Sequence, residues 1–319
     1  MWFVFALTAT LGWGFADLFY KKGANDDDRY SHLKTAIWVG LVMGAVSICL
    51  LPFSETKFNV AELVIKAAKY SPASLSYIIS MVIGYAGLRY LELSIISPVQ
   101  NASGAFSTVA MIIYFTAVGR IGSIREEFSA LDIAGTVIIA AGVVALAIVE
   151  KKISSGEIKA ETKYKMGALA LIFPILYCVF DTVGTAADGI ILDEETGLGL
   201  GEIDVLILYG LTFLLAGVCA WIFLLIKTKK AYNPFTKSEK NNAAAACFEQ
   251  FGQIFYVYAM ARNPMLAAPM IASYCIVSVV LSRIFLKEKL KASQYACVIA
   301  VIAGIIMLGI AEGLAEAGD

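Results

Sequence analysis

Long apolar segments separated by short polar connections run through the whole of the 319-residue chain. A helix needs about 20 predominantly apolar residues to cross the roughly 30 Å hydrocarbon core of a membrane. Backbone groups in lipid must find partners within their own segment, so each such run predicts an α-helix. The sequence therefore predicts an all-α integral membrane protein with ten transmembrane helices. Their predicted bounds are 2–20, 34–53, 73–91, 95–118, 130–149, 166–187, 203–226, 243–261, 265–286 and 293–312.

Composition agrees with this fold class and narrows the function. Hydrophobic residues make up 59% of the chain and charged residues 16%, whereas soluble domains average about 45–50% and about 25%. The lipid bilayer is thus the expected partner, and nucleic acid is not, since the chain has no basic block. Six cysteines lie in apolar runs without CxxC spacing, and the single histidine, His32, lies in a polar connection. We predict neither a metal site nor a cofactor.

The two halves of the chain share an ordered pattern of prolines, carboxylates and glycines. The matching pairs are Asp17 and Asp181, Pro98 and Pro269, Glu126 and Glu288, and Gly142 and Gly304. Each half has five predicted spans, and because five is odd the second half must enter the membrane from the opposite side. The pattern predicts two inverted repeats, 1–150 and 151–319, an arrangement common in transporters with a central substrate site.

Short motifs add a resemblance that covers essentially the whole chain. They are Gly12-Trp13-Gly14, Ser97-Pro98, Ala268-Pro269 and Leu286-Lys287-Glu288-Lys289-Leu290. With these motifs the chain resembles the drug/metabolite transporter (DMT) superfamily in its ten-helix, EamA-like form. The first half departs from the pattern, with about nine extra residues between Tyr114 and Glu126.

The resemblance implies a transporter rather than an enzyme. It implies a central cavity walled by spans 1, 3, 4, 6, 8 and 9, and alternating access without ATP hydrolysis; no P-loop pattern is present. We expect a secondary transporter in the cytoplasmic membrane that moves a small organic metabolite, amino acid or amine, driven by proton exchange or by the solute gradient. A monomer is sufficient for this fold, and a dimer stays open.

The sequence gives two opposing indications of the side of the membrane on which the termini lie. Lys and Arg are concentrated in the connections that follow odd-numbered spans, which by the positive-inside rule puts both termini outside. The family resemblance implies that both termini are cytoplasmic.

Three carboxylates inside predicted spans are the strongest candidates for function. Ionisable side chains within a membrane are costly and face the bundle interior or a wet cavity. Asp17, Asp181 and Glu249 lie in spans 1, 6 and 8. Trp13 and Tyr177 each precede an aspartate by four residues and share its helix face. A carboxylate beside an aromatic ring suits a cationic amine, and a buried carboxylate can also carry a proton.

Each of the three carboxylates also has an alternative interpretation in which its role is only structural. Asp17 can pair with Lys21 one turn later at the membrane surface. Asp181 can belong to a solvated helix end, since Asp188 and the acidic run from Asp193 follow it. Glu249 can form a hydrogen bond to Gln250, to Gln253 or to another span.

Other polar groups complete the predicted substrate- or proton-binding set: Tyr77, Asn101, Gln253 and Tyr274. Pro98 and Pro269 predict helix breaks, which either expose backbone groups to substrate or only kink the helix. Two other functions are weighed. Arg89 and Arg262, if they face the cavity, would favour anionic solutes such as nucleotide-sugars, and an Asp17–Asp181 dyad would favour a membrane enzyme.

Overall fold

The computed structural model describes residues 1–25, 28–56, 59–160, 167–193, 197–288 and 291–318. Lys289 and Leu290 of the predicted motif, the start of predicted span 6 at Met166, and the side chain of Glu126 lie outside the described residues.

Every regular element in these ranges is helical, as the sequence predicts. The helices are α1 (Trp2–Gly23), α2 (Ser31–Leu50), α3 (Val60–Gly87), α4 (Leu93–Asn101), α5 (Ser103–Ala117), α6 (Ile124–Glu127), α7 (Ala130–Ala160), α8 (Ile172–Leu192), α9 (Glu202–Thr228), α10 (Lys240–Arg262), α11 (Pro264–Ala272), α12 (Tyr274–Leu281) and α13 (Ala292–Gly318). A π-helical turn, Ser282–Leu286, continues α12.

Seven helical segments of the described chain are long and apolar enough to cross a membrane: Trp2–Gly23, Ser31–Phe53, Ala130–Val149, Leu169–Leu192, Glu202–Thr228, Pro264–Leu286 and Ala292–Ala317. The chain is therefore a multi-pass membrane protein. The predicted spans 73–91, 95–118 and 243–261 are helical but fall outside this set. Serines and tyrosines lower the hydropathy of α3, and polar side chains do the same for α10 and for predicted span 4, which contains Gln100 and Asn101.

Two helices stop shortly after an internal proline. Pro98 lies inside α4, which ends three residues later at Asn101, and Pro269 lies inside α11, which ends at Ala272. Proline lacks the N–H that the helix ladder requires, so it weakens the turn around it. In each case the chain resumes as a new helix after one residue, Ala102 or Ser273.

The helices pack in pairs that join the first half of the chain to the second. The main pairs are α1 with α10, α2 with α9, α3 with α8, α7 with α13, α5 with α11 and α4 with α12. Glycines permit close approach in such membrane helix pairs. A Cβ placed on Gly40 of α2 would come within 2.9 Å of Gly217 Cα in α9, and one on Gly135 of α7 within 3.0 Å of Gly304 O in α13.

Polarity is inverted relative to a soluble protein. Ile113, Ile226 and Ile299 are exposed on the outside of the bundle, whereas Asp17 and Glu249 are buried. Apolar side chains meet lipid, and the buried polar groups collect around one central space.

Candidate functional site

A central cavity lies among α1, α3, α4, α5, α8, α9, α10, α11 and α12. Its empty space is about 750 Å³, including the opening. Eight of the nine predicted substrate- or proton-binding residues line it: Trp13, Asp17, Tyr77, Asn101, Tyr177, Asp181, Glu249 and Tyr274. The ninth, Gln253, is buried in α10 but is not part of the lining. Pro98 and Pro269 are also outside the lining, although their helices end at it.

Asp17 is held by two serine hydroxyls. Its Oδ2 accepts hydrogen bonds from Ser97 of α4 at 2.5 Å and from Ser278 of α12 at 2.7 Å. The ammonium of Lys21, the alternative partner, donates to the carbonyls of Leu88 at 2.6 Å and Leu91 at 2.8 Å. Lys21 thus binds the end of α3, while Asp17 joins α1 to both proline-containing parts of the bundle.

Asp181 has a similar environment on α8. Its Oδ2 accepts a hydrogen bond from Ser103 at the start of α5, at 2.6 Å. Asp17 and Asp181 line the same cavity but bind different serines. Within the described chain they do not form the hydrogen-bonded pair that an aspartyl dyad requires.

Glu249 ends a chain of two tyrosine hydroxyls. Tyr85 donates to Tyr20 at 3.1 Å, and Tyr20 donates to Glu249 Oε2 at 3.0 Å. Tyr20 belongs to α1, so this is the bond to another span that the interhelical alternative for Glu249 included. The indole Nε1 of Trp13 donates to the Glu249 backbone carbonyl at 3.2 Å, which ties α1 to α10 beside the carboxylate.

Aromatic rings form much of the cavity wall. The Trp13 ring centroid lies 5.1 Å from that of Tyr256 and 5.7 Å from that of Tyr274, and the centroids of Tyr20 and Tyr85 are 4.7 Å apart. Ring faces attract cations, and more strongly where water is displaced. Carboxylates and rings together favour a positively charged group in this space.

The two arginines that would favour an anionic solute lie elsewhere. Arg89 donates to the backbone carbonyls of Asn25 at 3.2 Å and Arg29 at 3.0 Å. Arg262 pairs with Glu202 at 3.1 Å. No Lys or Arg is among the described residues that line the cavity, so its fixed ionisable side chains are acidic.

Several lining residues were not predicted from the sequence. They include Tyr20, Gln100, Ser103, Thr185 and Tyr209. One signal was available: Tyr177, Asp181, Thr185 and Asp188 repeat at helical spacing and so share one face of α8. Asp188, which the solvated-end alternative assigned to water, is fully buried. That alternative is wrong for Asp188, because α8 continues past it to Leu192.

Two residues hold the proline-containing helices from outside the cavity. Glu288, in the predicted motif, accepts hydrogen bonds from the backbone N–H groups of Leu93 at 3.2 Å and Ser94 at 3.0 Å, at the start of α4. Thr108 Oγ1 lies 2.8 Å from the carbonyl of Gly104 in its own helix and 3.4 Å from that of Met265, four residues before Pro269, so its one hydroxyl proton is shared between the two acceptors. Pro269 cannot supply that carbonyl with its usual helical donor.

The fold and the site define a class: a multi-pass helical membrane protein with an acidic, aromatic-walled central cavity. Residues 196–310 match the model of the EamA-like transporter family, which belongs to the DMT superfamily. The predicted resemblance is confirmed by this match, which falls within the second half of the chain. A solved crystal structure aligns with 98% of this chain and 98% of its own at a TM-score of 0.60 and 15% identity, a likeness of fold alone. No curated protein sequence matches the chain.

Proposed function

We propose that the protein is a secondary transporter of small organic cations or zwitterions, such as amines or amino acids, in the cytoplasmic membrane. One observation carries this proposal: Asp17, Asp181 and Glu249 line a single cavity with aromatic walls and without a Lys or Arg among its described lining residues. The family match at 196–310 supports transport as the class of function.

Alternating access follows if the chain forms ten spans in two inverted repeats, and the helix packing supports that arrangement. Exchanging the halves turns the α1–α10 pair into α8–α3, and the α4–α12 pair into α11–α5. The α2–α9 and α7–α13 pairs turn into themselves. A bundle whose two halves are interchangeable has two equivalent ways to open, one toward each side of the membrane.

The side chains that bind the cavity carboxylates are compatible with coupling of solute transport to proton movement. A carboxylate removed from water is costly unless a cation or a proton neutralises it. Ser97, Ser278 and Ser103 can donate to a charged carboxylate and can accept from a protonated one, because a hydroxyl does both. In this mechanism the cavity carboxylates bind an amine when the transporter changes its opening in one direction. They bind a proton in place of the amine when it changes back. A monomer suffices, and the charge distribution favours external termini.

The test is flux in proteoliposomes. The panel contains radiolabelled lysine, phenylalanine and putrescine as amino acids and amines, with UDP-glucose as an anionic solute. The variants are Asp17→Asn, Asp181→Asn and Glu249→Gln, singly and together. Asp204→Asn is a matched control, because Asp204 is also a buried carboxylate but binds Ser54 at 2.6 Å and Thr56 at 2.5 Å, away from the cavity.

We expect flux of a cationic or zwitterionic solute that falls about tenfold or more in each cavity variant, as for loss of a hydrogen-bonded charge contact. The control should stay close to wild type. Wild-type flux in the triple variant, or flux of UDP-glucose alone, would overturn the proposal.

A further inference from the structure

A fourth buried carboxylate lies just beyond the cavity. Asp188 of α8 has no exposed surface. Its Oδ1 accepts a hydrogen bond from the Tyr70 hydroxyl at 2.7 Å. Its Oδ2 is also buried and has no hydrogen-bonding partner among the described protein groups. Such a group is costly as an anion, and each unsatisfied buried oxygen adds to the cost.

Hydroxyl groups connect this carboxylate to the cavity. The Tyr256 hydroxyl lies next to Asp188 and is hydrogen-bonded to the Tyr77 hydroxyl. Tyr77 is in turn 3.0 Å from Thr185 Oγ1. Tyr77, Thr185 and Tyr256 line the cavity, whereas Asp188 and Tyr70 do not. The three hydroxyls therefore form a continuous layer between Asp188 and the space that contains Asp181.

The titratable groups that face Asp188 are all phenols. Tyr70 and Tyr77 come from α3, Tyr256 from α10 and Tyr209 from α9. On α8 itself the nearest carboxylates are Asp181, two turns earlier, and Asp193, which pairs with Arg120 at 3.5 Å. Gly189 of α8 packs against Met111 of α5 and Pro264 of α11, and neither of these side chains has a titratable group. No described cation neutralises Asp188.

We infer that Asp188 is a proton-binding site on the transport path, which exchanges its proton with the cavity through the hydroxyls of Tyr256, Tyr77 and Thr185; this inference rests on the transport function proposed above. The proton leaves Asp188 Oδ2 for the first hydroxyl oxygen, and each hydroxyl releases its own proton to the next. The chain of hydroxyls ends unchanged, Asp188 becomes a carboxylate, and the last hydroxyl releases the proton into the cavity, where a lining carboxylate accepts it and becomes a carboxylic acid.

This position separates proton entry from solute binding. Asp17, Asp181 and Glu249 contact the cavity directly and are available to a bound cation. Asp188 lies behind Tyr77 and Tyr256, so a solute in the cavity does not reach it without parting those two rings. A proton can pass along the hydroxyls while the rings stay closed.

The test reads the proton on Asp188 without any transported solute. Purified full-length protein in liposomes is titrated with pH while infrared difference spectra record the carbonyl band of protonated carboxylic acids. The variants are Asp188→Asn and Asp188→Glu, and Asp204→Asn is the matched buried control. Asp188→Glu keeps a titratable carboxyl group at the same position, so it stays informative if Asp188→Asn does not fold.

We expect Asp188→Asn to lose one titrating carbonyl component and Asp188→Glu to restore it at a different frequency. The control should keep the wild-type component. A titrating band of unchanged amplitude and frequency in both Asp188 variants would overturn the inference. Because no solute is present, that result would leave the transport proposal intact, and failed flux in the proteoliposome panel would not alter the infrared result.

Discussion

The indole of Trp13 lies directly on the backbone of Gly252, where an added methyl group would come within 2.6 Å of the indole Nε1. Tyr177 lies on Gly84 in the same way, and a Cβ there would come within 2.7 Å of the ring Cδ2. Trp13 and Tyr177 precede Asp17 and Asp181 by four residues. Each glycine thus lets a carboxylate-bearing helix approach its neighbour with an aromatic ring between them.

We expect Gly252→Ala and Gly84→Ala to destabilise the protein by about 1–3 kcal/mol each, because overpacking displaces the ring. Thermal unfolding in detergent measures the change. Gly313→Ala is the matched control: it lies in α13 with open space around a Cβ, and there alanine should stabilise the helix by up to about 1 kcal/mol. Equal stability of all three variants would contradict this prediction.

A double-mutant cycle tests the bond between Thr108 and Met265 O. Thr108→Val should cost about 0.5–1 kcal/mol, since the carbonyl before Pro269 loses a donor that it shares with the Gly104 carbonyl. In a Pro269→Ala background the helix regains a backbone N–H for the same carbonyl, so the cost of Thr108→Val should shrink. Unfolding of the four proteins gives the coupling free energy, and a value of zero would refute the role given to Thr108.

Removing the Glu288 carboxylate should loosen the start of α4. Glu288→Gln keeps the shape but loses the charge that accepts two backbone N–H groups, with an expected cost of about 1–2 kcal/mol. Glu62→Gln is the control, because Glu62 is exposed in the first turn of α3 and should cost at most a few tenths of that amount. Thermal unfolding compares them, and a larger loss for Glu62→Gln would be the contrary result.

Asp28 makes stability depend on pH at the connection between α1 and α2. Partial burial alone would raise the pKa of this carboxyl, but the Lys34 ammonium at 2.6 Å and the Tyr30 N–H outweigh burial and lower the pKa. Its stabilising contribution is therefore present above the unfolded pKa of about 3.9 and is lost as pH falls through the folded value.

The measurement is the melting temperature of wild type and Asp28→Asn across acidic pH. Wild type should be the more stable protein near pH 6, and the difference should shrink as pH falls below about 4 and vanish once the pH lies below the lowered folded pKa of Asp28. A difference that is independent of pH would contradict the assignment.

The sequence predicted the helices well and their ends less well. Apolar runs mark where a helix must lie in lipid, and each of the ten predicted segments is helical over most of its described residues. The start of α3 at Val60, well before the predicted 73, was missed because this part of the helix is polar and begins with a side-chain cap from Asn59 to the Glu62 N–H. Pro72, which suggested a boundary, lies inside α3.

Some residues of the candidate site could be predicted from the sequence and others could not. Asp17, Asp181 and Glu249 were predictable because a carboxylate is rare within an apolar run. Ser97, Ser103 and Ser278 were not, because serines are common in membrane helices and only the packing of the helices decides which of them meets a carboxylate. Asp188 was misassigned because its neighbours in sequence are acidic, whereas its neighbours in space are tyrosines.

The pairing of early with late helices has a consequence for biosynthesis. α1 leaves the ribosome first, yet it packs on α10, and Ser278, which binds its Asp17, is synthesised 261 residues later. Contacts so distant along the chain form slowly, and only after the intervening helices have been inserted. The nascent chain therefore holds Asp17 with only one of its two serine partners, Ser97, until translation is nearly complete. A product terminated before Ser278 would lack the second donor to this carboxylate and the late helices that bury it, which gives cellular quality control a physical feature by which to recognise it.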